Sequence, residues 1–419
     1  MFENFLNRPQ NIQTIYLYLI SGNTLATSFI WGINTIFLLD AGLSNFEAFL
    51  ANAFFTAGQV IFEIPTGIIA DTFGRRVSYL LGALTLAIST FLYLFMWEIN
   101  GPFWGWAVSS ILLGLGYTFF SGATEAWLVD ALKATNFKGH LEGVFAKGQI
   151  VGGVAMLAGS IAGGFIAQYS NLGVPYILRS LILLVNFATA FFLMKDLGFK
   201  PKKSTSAIKE MKIILTKSIN YGLKNPPVRW IMLSAPFTTG VSFYIFYALQ
   251  PFLLELYGDE KAYGIAGLVA AIVAVSNIAG GIAAPRIRML FSRRTTVLLL
   301  GVFLTGLILI FVSLVSNFWL VLLLIFLWGI IFAALIPIRQ AYLNGIIPSQ
   351  QRATVLSFDS LMASSGGIVI QPALGKSADV WSYPVSYALS SIFQFAALPF
   401  IYLAKKEKSS SDIIEDSKK

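Results

Sequence analysis

The chain has 419 residues, of which 56% are hydrophobic and only 12% are charged, and its mean hydropathy is +0.74. A soluble domain carries about 25% charged residues, so this composition excludes a chain that is surrounded by water alone. The absence of cysteine excludes disulfide scaffolds and thiolate metal sites, and the single histidine, His140, lies in a polar segment typical of a solvated loop.

Apolar runs recur along the chain at the length that a membrane-spanning helix needs, about 20 residues. We predict helices rather than barrel strands, because the runs are continuously apolar and do not alternate. The prediction is an all-α polytopic membrane protein with twelve transmembrane helices, in the runs 14–39, 45–70, 77–98, 103–132, 141–167, 174–195, 228–256, 262–285, 295–315, 318–347, 353–379 and 383–404. The first run is too long for a signal peptide, so none is expected.

The basic residues are distributed unevenly between the two sides of these runs. With the N-terminus inside, only Arg179, Lys261 and Lys376 fall outside, Arg339 falls within a run, and the other basic residues fall in the cytoplasm. This bias follows the positive-inside rule and places both termini in the cytoplasm. It also accounts for the net charge of +9, so no nucleic-acid partner is expected.

The first predicted span carries polar side chains near one helical face, at Asn23, Thr27, Trp31 and Asn34. The seventh span carries a similar set that includes Tyr244 and Tyr247. Such side chains serve either hydrogen bonding between helices or contact with a solute, and the sequence leaves both readings open.

The loop between the second and third spans has the sequence GIIADTFGRR. Gly74 permits a tight turn, and Asp71 can approach a helix N-terminus, where the dipole favours negative charge. Arg75 and Arg76 can bind carboxylates with two hydrogen bonds each. Asp130, at the cytoplasmic end of the fourth span, is their predicted partner, although the two arginines can also serve only to orient the chain in the membrane.

Three ionisable residues fall within predicted spans, where a charge costs roughly 2.5–3.5 kcal/mol and indicates function by default. Glu125 in the fourth span and Arg339 in the tenth lie at similar depth, so they could pair. We expect either a pair that responds to protons or solute, or a static inner gate. Glu63, in the second span, is predicted to act as a structural or gating carboxylate.

The chain divides into two halves that resemble each other. The loop GIIADTFGRR is followed by VSYLLG, and the corresponding segment GIAAPRIRMLFSRR is followed by TTVLLLG. We predict a six-helix bundle over 1–195, a basic cytoplasmic linker over 196–227, a second six-helix bundle over 228–404 and a disordered tail over 405–419. A duplication of this kind is typical of transporters whose site lies between the repeats near the membrane midplane.

GIIADTFGRR at this position resembles the loop signature of the major facilitator superfamily, and the segments FEIPTG and SGATEAWLVD look like bacterial drug:proton antiporters. The resemblance implies the major facilitator fold, with two pseudo-symmetric bundles and a cavity lined by spans one, four, seven and ten. It also implies that Asp71, Gly74, Arg75, Arg76 and Asp130 form a gating latch. Pro285 replaces the aspartate in the second copy, which implies an asymmetric latch.

The fifth span contains GSIAGG at 159–164, a partial match to the glycine-rich signature of antiporters in this family. A structural interpretation is equally open, because small residues four apart let helices approach closely. The match therefore leaves the choice between antiport and symport open.

The leading hypothesis is a proton-coupled efflux transporter of amphipathic or drug-like molecules, located as a monomer in the cell inner membrane. The alternative is an ion-coupled uptake symporter for a small organic or anionic nutrient, with Arg339 as the anion anchor, and a third is a receptor or scaffold that transports nothing. The sequence has no phosphate-binding loop of an ATP-driven pump. We expect no cofactor or metal and no enzymatic activity.

Overall fold

The structure, a computed structural model, describes residues 8–201 and 207–414, without the side chains of residues 207, 208, 210 and 353. Residues 202–206 of the predicted linker and 415–419 of the predicted tail lie outside the described residues. In the part of the chain that is described, helices dominate, and the one β-bridge joins Arg293 to Ile413.

The described part of the first half contains eight helices: α1 (Pro9–Ser28), α2 (Asn34–Asp40), α3 (Asn45–Phe73), α4 (Arg75–Glu98), α5 (Phe103–Thr118), α6 (Ala123–Ala134), α7 (Leu141–Tyr169) and α8 (Gly173–Leu193). The predicted first span is interrupted at 29–33, and the predicted fourth span is interrupted at 119–122. Gly122, in the second break, has a φ of 67°, a conformation that glycine adopts without steric cost.

The second half begins with the linker helix α9 (Ala207–Ser218), which continues into a π-helical turn at Ile219–Leu223. Seven further helices follow: α10 (Pro226–Tyr257), α11 (Tyr263–Met289), α12 (Arg294–Leu314), α13 (Phe318–Asn344), α14 (Ser349–Val380), α15 (Tyr383–Ala396) and α16 (Leu398–Lys406).

Eleven helical segments in the described chain are long and apolar enough to cross a membrane. Together α5 and α6 form one of them, and so do α15 and α16. The broken pair α1 and α2 completes the twelve spans of the predicted architecture. The prediction of an all-α, twelve-helix protein with two bundles is therefore confirmed.

The chain forms two compact units, and the same helix pairings occur in both. In the first unit α1 packs on α7, α4 on α8 and α4 on α5. In the second unit the corresponding pairs are α10 on α14, α12 on α15 and α12 on α13. Each unit is thus built from equivalent contacts, as expected for a duplicated sequence.

In each unit one pair of helices, α1 with α7 and α10 with α14, packs with the two backbones close together. A Cβ atom on Gly163 of α7 would collide with the carbonyl of Phe29 just after α1, and one on Gly366 of α14 would collide with the carbonyl of Pro236 in α10. Small residues at such crossings let membrane helices pack without a hydrophobic driving force. The glycines of the fifth span therefore have a packing role.

Two helices contribute to both units. The first unit consists of the chain up to Gly42, Phe54–Lys209 and Lys261–Ala271, and the second consists of Leu43–Ala53, Glu210–Glu260 and the chain from Ile272. The start of α3 belongs to the second unit, where the Asp379 carboxylate accepts the backbone N–H groups of Asn45 and Phe46 at 2.8 Å. The start of α11 belongs to the first unit, where Gln168 Oε1 accepts the N–H of Gly264 at 2.8 Å.

The prediction of a disordered tail is wrong for residues 405–414. Helix α16 extends to Lys406, a 3₁₀ turn covers Ser410–Asp412, and the Ile414 N–H donates to the Ser292 carbonyl at 3.0 Å. Asp412 and Ile414 are each 2% exposed. The polar composition suggested disorder, but one buried carboxylate and one buried aliphatic side chain fix the segment onto the second unit.

Candidate functional site

The loop between α3 and α4 contains the predicted latch residues of the first unit. Arg75 Nη2 lies 2.6 Å from Asp71 Oδ1, an ion pair between the end of α3 and the start of α4. Gly74, which joins the two helices, has a φ of 111°. A Cβ atom there would collide with the Asp196 carboxylate, so glycine is required both for the turn and for the approach of this group.

Asp196, rather than Asp130, is the carboxylate that meets Arg76. Asp196 Oδ1 accepts the backbone N–H of Arg76 at 2.9 Å, and Arg76 Nη2 donates to the Phe191 carbonyl at 2.5 Å. Burial raises the pKa of Asp196, and the N–H and charge of Arg76 oppose this shift. The carboxylate thus caps the N-terminus of α4, where the dipole favours a negative group.

Asp130 forms no ion pair with another described residue, so its predicted pairing with Arg75 and Arg76 is wrong. Its backbone carbonyl instead lies against Gly198. Trp127 Nε1, one turn earlier in α6, donates to the Lys195 carbonyl at 2.7 Å. The segment 195–199 therefore packs against both α6 and the start of α4, and it supplies the carboxylate that the sequence analysis sought in α6.

The second unit caps its corresponding helix in the same way. Asp412 accepts the backbone N–H of Thr295 at 2.8 Å and the Thr295 hydroxyl at 2.9 Å, at the start of α12. Arg294 Nη1 donates to the Ser411 carbonyl at 2.5 Å. In each unit, an aspartate that follows the last helix thus caps the third span, a feature that the sequence comparison of the two halves missed.

Arg339 also forms an ion pair, and its partner is Asp359 on α14. Nη1 lies 2.7 Å from Asp359 Oδ2, and Nη2 lies 2.6 Å from Asp359 Oδ1. The side chains are 22% and 7% exposed. This bidentate contact replaces the predicted pairing of Arg339 with Glu125, because both Nη atoms are already engaged.

The other two ionisable residues lie near the break between α5 and α6. Glu63 Oε1 accepts the Ser121 hydroxyl at 2.7 Å, a contact between α3 and the break. Glu125 lies in the first turn of α6 and is exposed. The break therefore places Glu125 at a helix N-terminus.

The predicted polar stripe of the first span divides into two groups. Asn34 is 8% exposed, and its Oδ1 accepts the Tyr176 hydroxyl at 3.2 Å, so it joins helices and does not line a cavity. Asn23, Thr27 and Trp31 are half-buried. Thr27 Oγ1 accepts the Tyr117 hydroxyl at 3.0 Å and donates to the Asn23 carbonyl at 2.9 Å.

The two tyrosines of the seventh span also differ. Tyr244 is fully buried, and its hydroxyl donates to Ser386 Oγ at 2.5 Å, so its predicted place in a solute cavity is wrong. The hydroxyl of a buried tyrosine requires such a partner, and Ser386 on α15 provides it. Tyr247 is half-buried, and its ring contacts Phe246 edge-on.

Arg179 was assigned to the outside of the membrane from the sequence, but it is completely buried in α8. Its Nε donates to Thr90 Oγ1 at 3.1 Å, and both Nη atoms lie 3.3 Å from the Tyr117 hydroxyl. No carboxylate among the described residues binds it. Because Tyr117 also contacts Thr27, a hydrogen-bonded chain leads from this buried cation to the first span.

A cavity of about 330 Å³ lies within the second unit. Side chains of α10, α12, α13, α15 and α16 line it, and Arg339 and Gln340 form part of its wall. This volume lies at the lower end of the range for small-molecule sites. Arg339 thus connects the buried ion pair with a space that can hold a ligand.

Known proteins match this chain over most of its length. The family model of the Major Facilitator Superfamily matches residues 17–289 and 263–418. The chain is 28% identical over 335 residues to the multidrug resistance protein MdtG of Salmonella typhimurium, covering 78% of this chain and 76% of that protein. The MdtG of Salmonella arizonae is 26% identical over 332 residues, with the same coverage.

Solved structures show the same fold. The nucleoside transporter NupG gives a TM-score of 0.75 at 10% identity and covers 94% of this chain and 99% of its own. A bacterial homologue of the human lysosomal transporter Spinster, in an inward-facing and unoccupied conformation, gives 0.74 at 13% identity, covering 97% and 99%.

The fold and the buried charges define a polytopic membrane transporter rather than an enzyme. The chain belongs to the Major Facilitator Superfamily, because the family model spans nearly all of it. The resemblance on which the sequence analysis relied is therefore confirmed.

Proposed function

We propose that this transporter exports amphipathic or drug-like small molecules in exchange for protons, by alternating access, from the cell inner membrane. We also propose that it acts as a monomer with both termini in the cytoplasm. The observation that carries the proposal is the ion pair between Arg339 and Asp359 beside the cavity of the second unit. The name of the relative MdtG, a multidrug resistance protein, supports export of drugs.

Asp359 is the proposed proton carrier. Arginine stays protonated in proteins, so the carboxylate is the member of the pair that can exchange a proton. A proton that binds to one Oδ atom neutralises the carboxylate and removes the charge that holds the guanidinium. Arg339 is then free to change partner, and its position on the cavity wall couples this change to the bound solute.

We further propose gating roles for the other predicted residues. Glu63 and Glu125 are titratable and lie near the break between α5 and α6, so they can pass protons towards the interior. The Asp71–Arg75 pair, Gly74 and Arg76 are proposed to form the latch, with Asp196 in the role predicted for Asp130. Asn23, Thr27, Trp31 and Tyr247 are half-buried and are proposed to contact solute.

The alternative of anion uptake relied on Arg339 as an anchor for a negatively charged nutrient. Two Nη contacts to Asp359 already neutralise this arginine. An anion would have to displace a bidentate carboxylate, which is among the stronger hydrogen-bonded pairs in proteins. The observed geometry therefore favours efflux over anion uptake.

The test is transport of radiolabelled chloramphenicol, an uncharged amphipathic drug with N–H and O–H groups, by the full chain in proteoliposomes under an imposed proton gradient. Efflux by antiport predicts drug movement opposite to the protons. Asp359→Asn should abolish the response to the gradient while drug exchange at equal pH continues. Glu98→Gln, at an exposed carboxylate near the end of α4, is the control and should transport normally. Movement of the drug with the protons would overturn antiport, and normal coupling in Asp359→Asn would remove Asp359 from the mechanism.

A further inference from the structure

The cavity of the second unit contains a buried hydrogen-bond acceptor that has no partner. Gln394, on α15, lines the cavity and is 1% exposed. Its Nε2 donates to Thr305 Oγ1 at 2.8 Å, but its Oε1 has no hydrogen-bond partner. Buried polar atoms are usually paired, so an unpaired acceptor in a cavity wall is available to a ligand that brings a hydrogen-bond donor.

Two hydroxyl groups of α10 in the cavity wall can also accept. Ser234 Oγ donates to the Ile231 carbonyl at 2.7 Å, and Thr238 Oγ1 donates to the Ala235 carbonyl at 3.3 Å, both within α10. The hydrogens of these two hydroxyls are therefore used, and their oxygen lone pairs remain. The wall thus presents acceptors on two helices, α10 and α15.

Much of the remaining wall is apolar, although Thr239, Ser242 and Gln340 also line it. Leu298, Val302 and Leu335 contribute aliphatic surface, and Phe332 contributes a ring. Arg339 is the charged residue of the lining, and Asp359 neutralises it with two contacts. A charged ligand would therefore enter without a counter-ion, which is costly in a low-dielectric site.

We propose that this cavity is a binding site for uncharged amphipathic molecules that carry an N–H or O–H donor, and that Gln394 Oε1 accepts that donor. The inference deepens the proposed function and rests on it in one respect, that the ligand is the transported solute. The apolar body of the ligand would lie against α12 and α13, and its polar end would lie between Gln394 and the hydroxyls of α10.

Three probes that share a phenylbutyl body test this site by calorimetric titration of the purified full chain. 4-Phenylbutyramide has two N–H donors, its N,N-dimethyl derivative has none, and 4-phenylbutyrate is an anion. The primary amide should bind most tightly. The dimethyl amide should bind about tenfold more weakly, the change expected for one lost hydrogen bond, and the anion should bind more weakly still.

Gln394→Met keeps the side-chain volume and removes the acceptor, and Thr305 retains its hydrogen bond to the Gly301 carbonyl at 2.9 Å. This variant should lose the preference for the primary amide. Gln371→Met is the matched control, because Gln371 is fully buried in the same unit, also has an unpaired Oε1 and is not among the cavity residues. The control should keep the preference.

Equal affinity of the wild-type protein for the two amides, or tightest binding of the anion, would overturn the proposal without reliance on any variant. Loss of the preference in Gln371→Met as much as in Gln394→Met would also overturn it. Selective binding of the primary amide that is not transported under any gradient would support the site and contradict the proposed function. Transport of chloramphenicol by a protein that shows no amide preference would contradict only the site.

Discussion

In each unit an arginine lies well inside a membrane-spanning helix, and the two arginines are bound in different ways. Arg179 in the first unit is fully buried, and its partners among the described residues are neutral groups, the hydroxyls of Thr90 and Tyr117 and the Ala26 carbonyl. Arg339 in the second unit is 22% exposed and binds a carboxylate with two hydrogen bonds.

This difference underlies the proposal that proton exchange acts on the second unit. Arg179 has no carboxylate partner among the described residues that a proton could neutralise. Arg339 has the Asp359 carboxylate as its partner, and Asp359 is the proposed proton carrier. The proposed switch thus lies in one half of a duplicated fold, a division that the following experiments test.

The largest effect is expected from Asp359→Leu. Removal of the carboxylate leaves the Arg339 guanidinium without its partner, which should lower the free energy of unfolding by about 3–5 kcal/mol. Denaturant unfolding of the purified protein in nanodiscs measures this loss. The double variant with Arg339→Met should recover most of the stability without proton coupling. If the double variant is no more stable than Asp359→Leu, the pair does not explain the loss.

A smaller effect is expected from Arg179→Met. The variant removes the hydrogen bonds that the guanidinium donates to Thr90, Tyr117 and the Ala26 carbonyl, but it also no longer buries an uncompensated cation. The free energy of unfolding should therefore fall by only about 1–2 kcal/mol. Proton-driven transport should keep its pH dependence. Loss of that dependence would show that the first unit also contributes to coupling.

The capping carboxylates extend the comparison to the cytoplasmic ends of the units. Asp412→Ala should lower the free energy of unfolding by about 1–2 kcal/mol, because it removes the cap of α12. Asp196→Ala should cost less, because the burial that raises the pKa of Asp196 already offsets part of its benefit. Thermal unfolding of both variants compares their losses of stability. A larger loss in Asp196→Ala than in Asp412→Ala would contradict the proposed difference between the two carboxylates.

The smallest effect concerns pH and Asp196. Burial raises the pKa of Asp196 in the folded state, so the folded protein holds this proton to higher pH than the unfolded chain does. Between the two pKa values, stability should fall as pH rises. The Asp196→Asn variant should lack this contribution in thermal unfolding across acidic pH. An identical pH profile for both proteins would show that the carboxylate is not buried as described.

The sequence allowed the spans, the duplication and the family to be predicted, because each depends on patterns within one segment. The partners of charged residues could not be predicted in the same way. A helical pattern shows which face a residue occupies but not which neighbour it meets, and so Arg339 was paired with Glu125 instead of Asp359. A lone carboxylate in a long apolar run, as at Asp359, was the signal that could have found this site.

The breaks in the first and fourth spans were also missed. Residues 29–33 and 119–122 are largely apolar and contain no proline, and the glycine in each did not stand out because many glycines lie inside unbroken spans. Arg179 was misplaced for a related reason, because a residue two turns into a span can occupy either an interfacial or an interior position. Only the contacts of Arg179 with α4 and α5 distinguish the interior position from the interfacial one.

The exchange of helix ends has a consequence for how the polypeptide can be divided. Leu43–Ala53 is encoded with the first half but completes the second unit, and Lys261–Ala271 is encoded with the second half but completes the first. A break in the backbone near residue 205 would therefore yield two fragments, each missing about three turns of helix that its own fold uses. Neither fragment is self-sufficient, and co-production of the two should be required for either to mature.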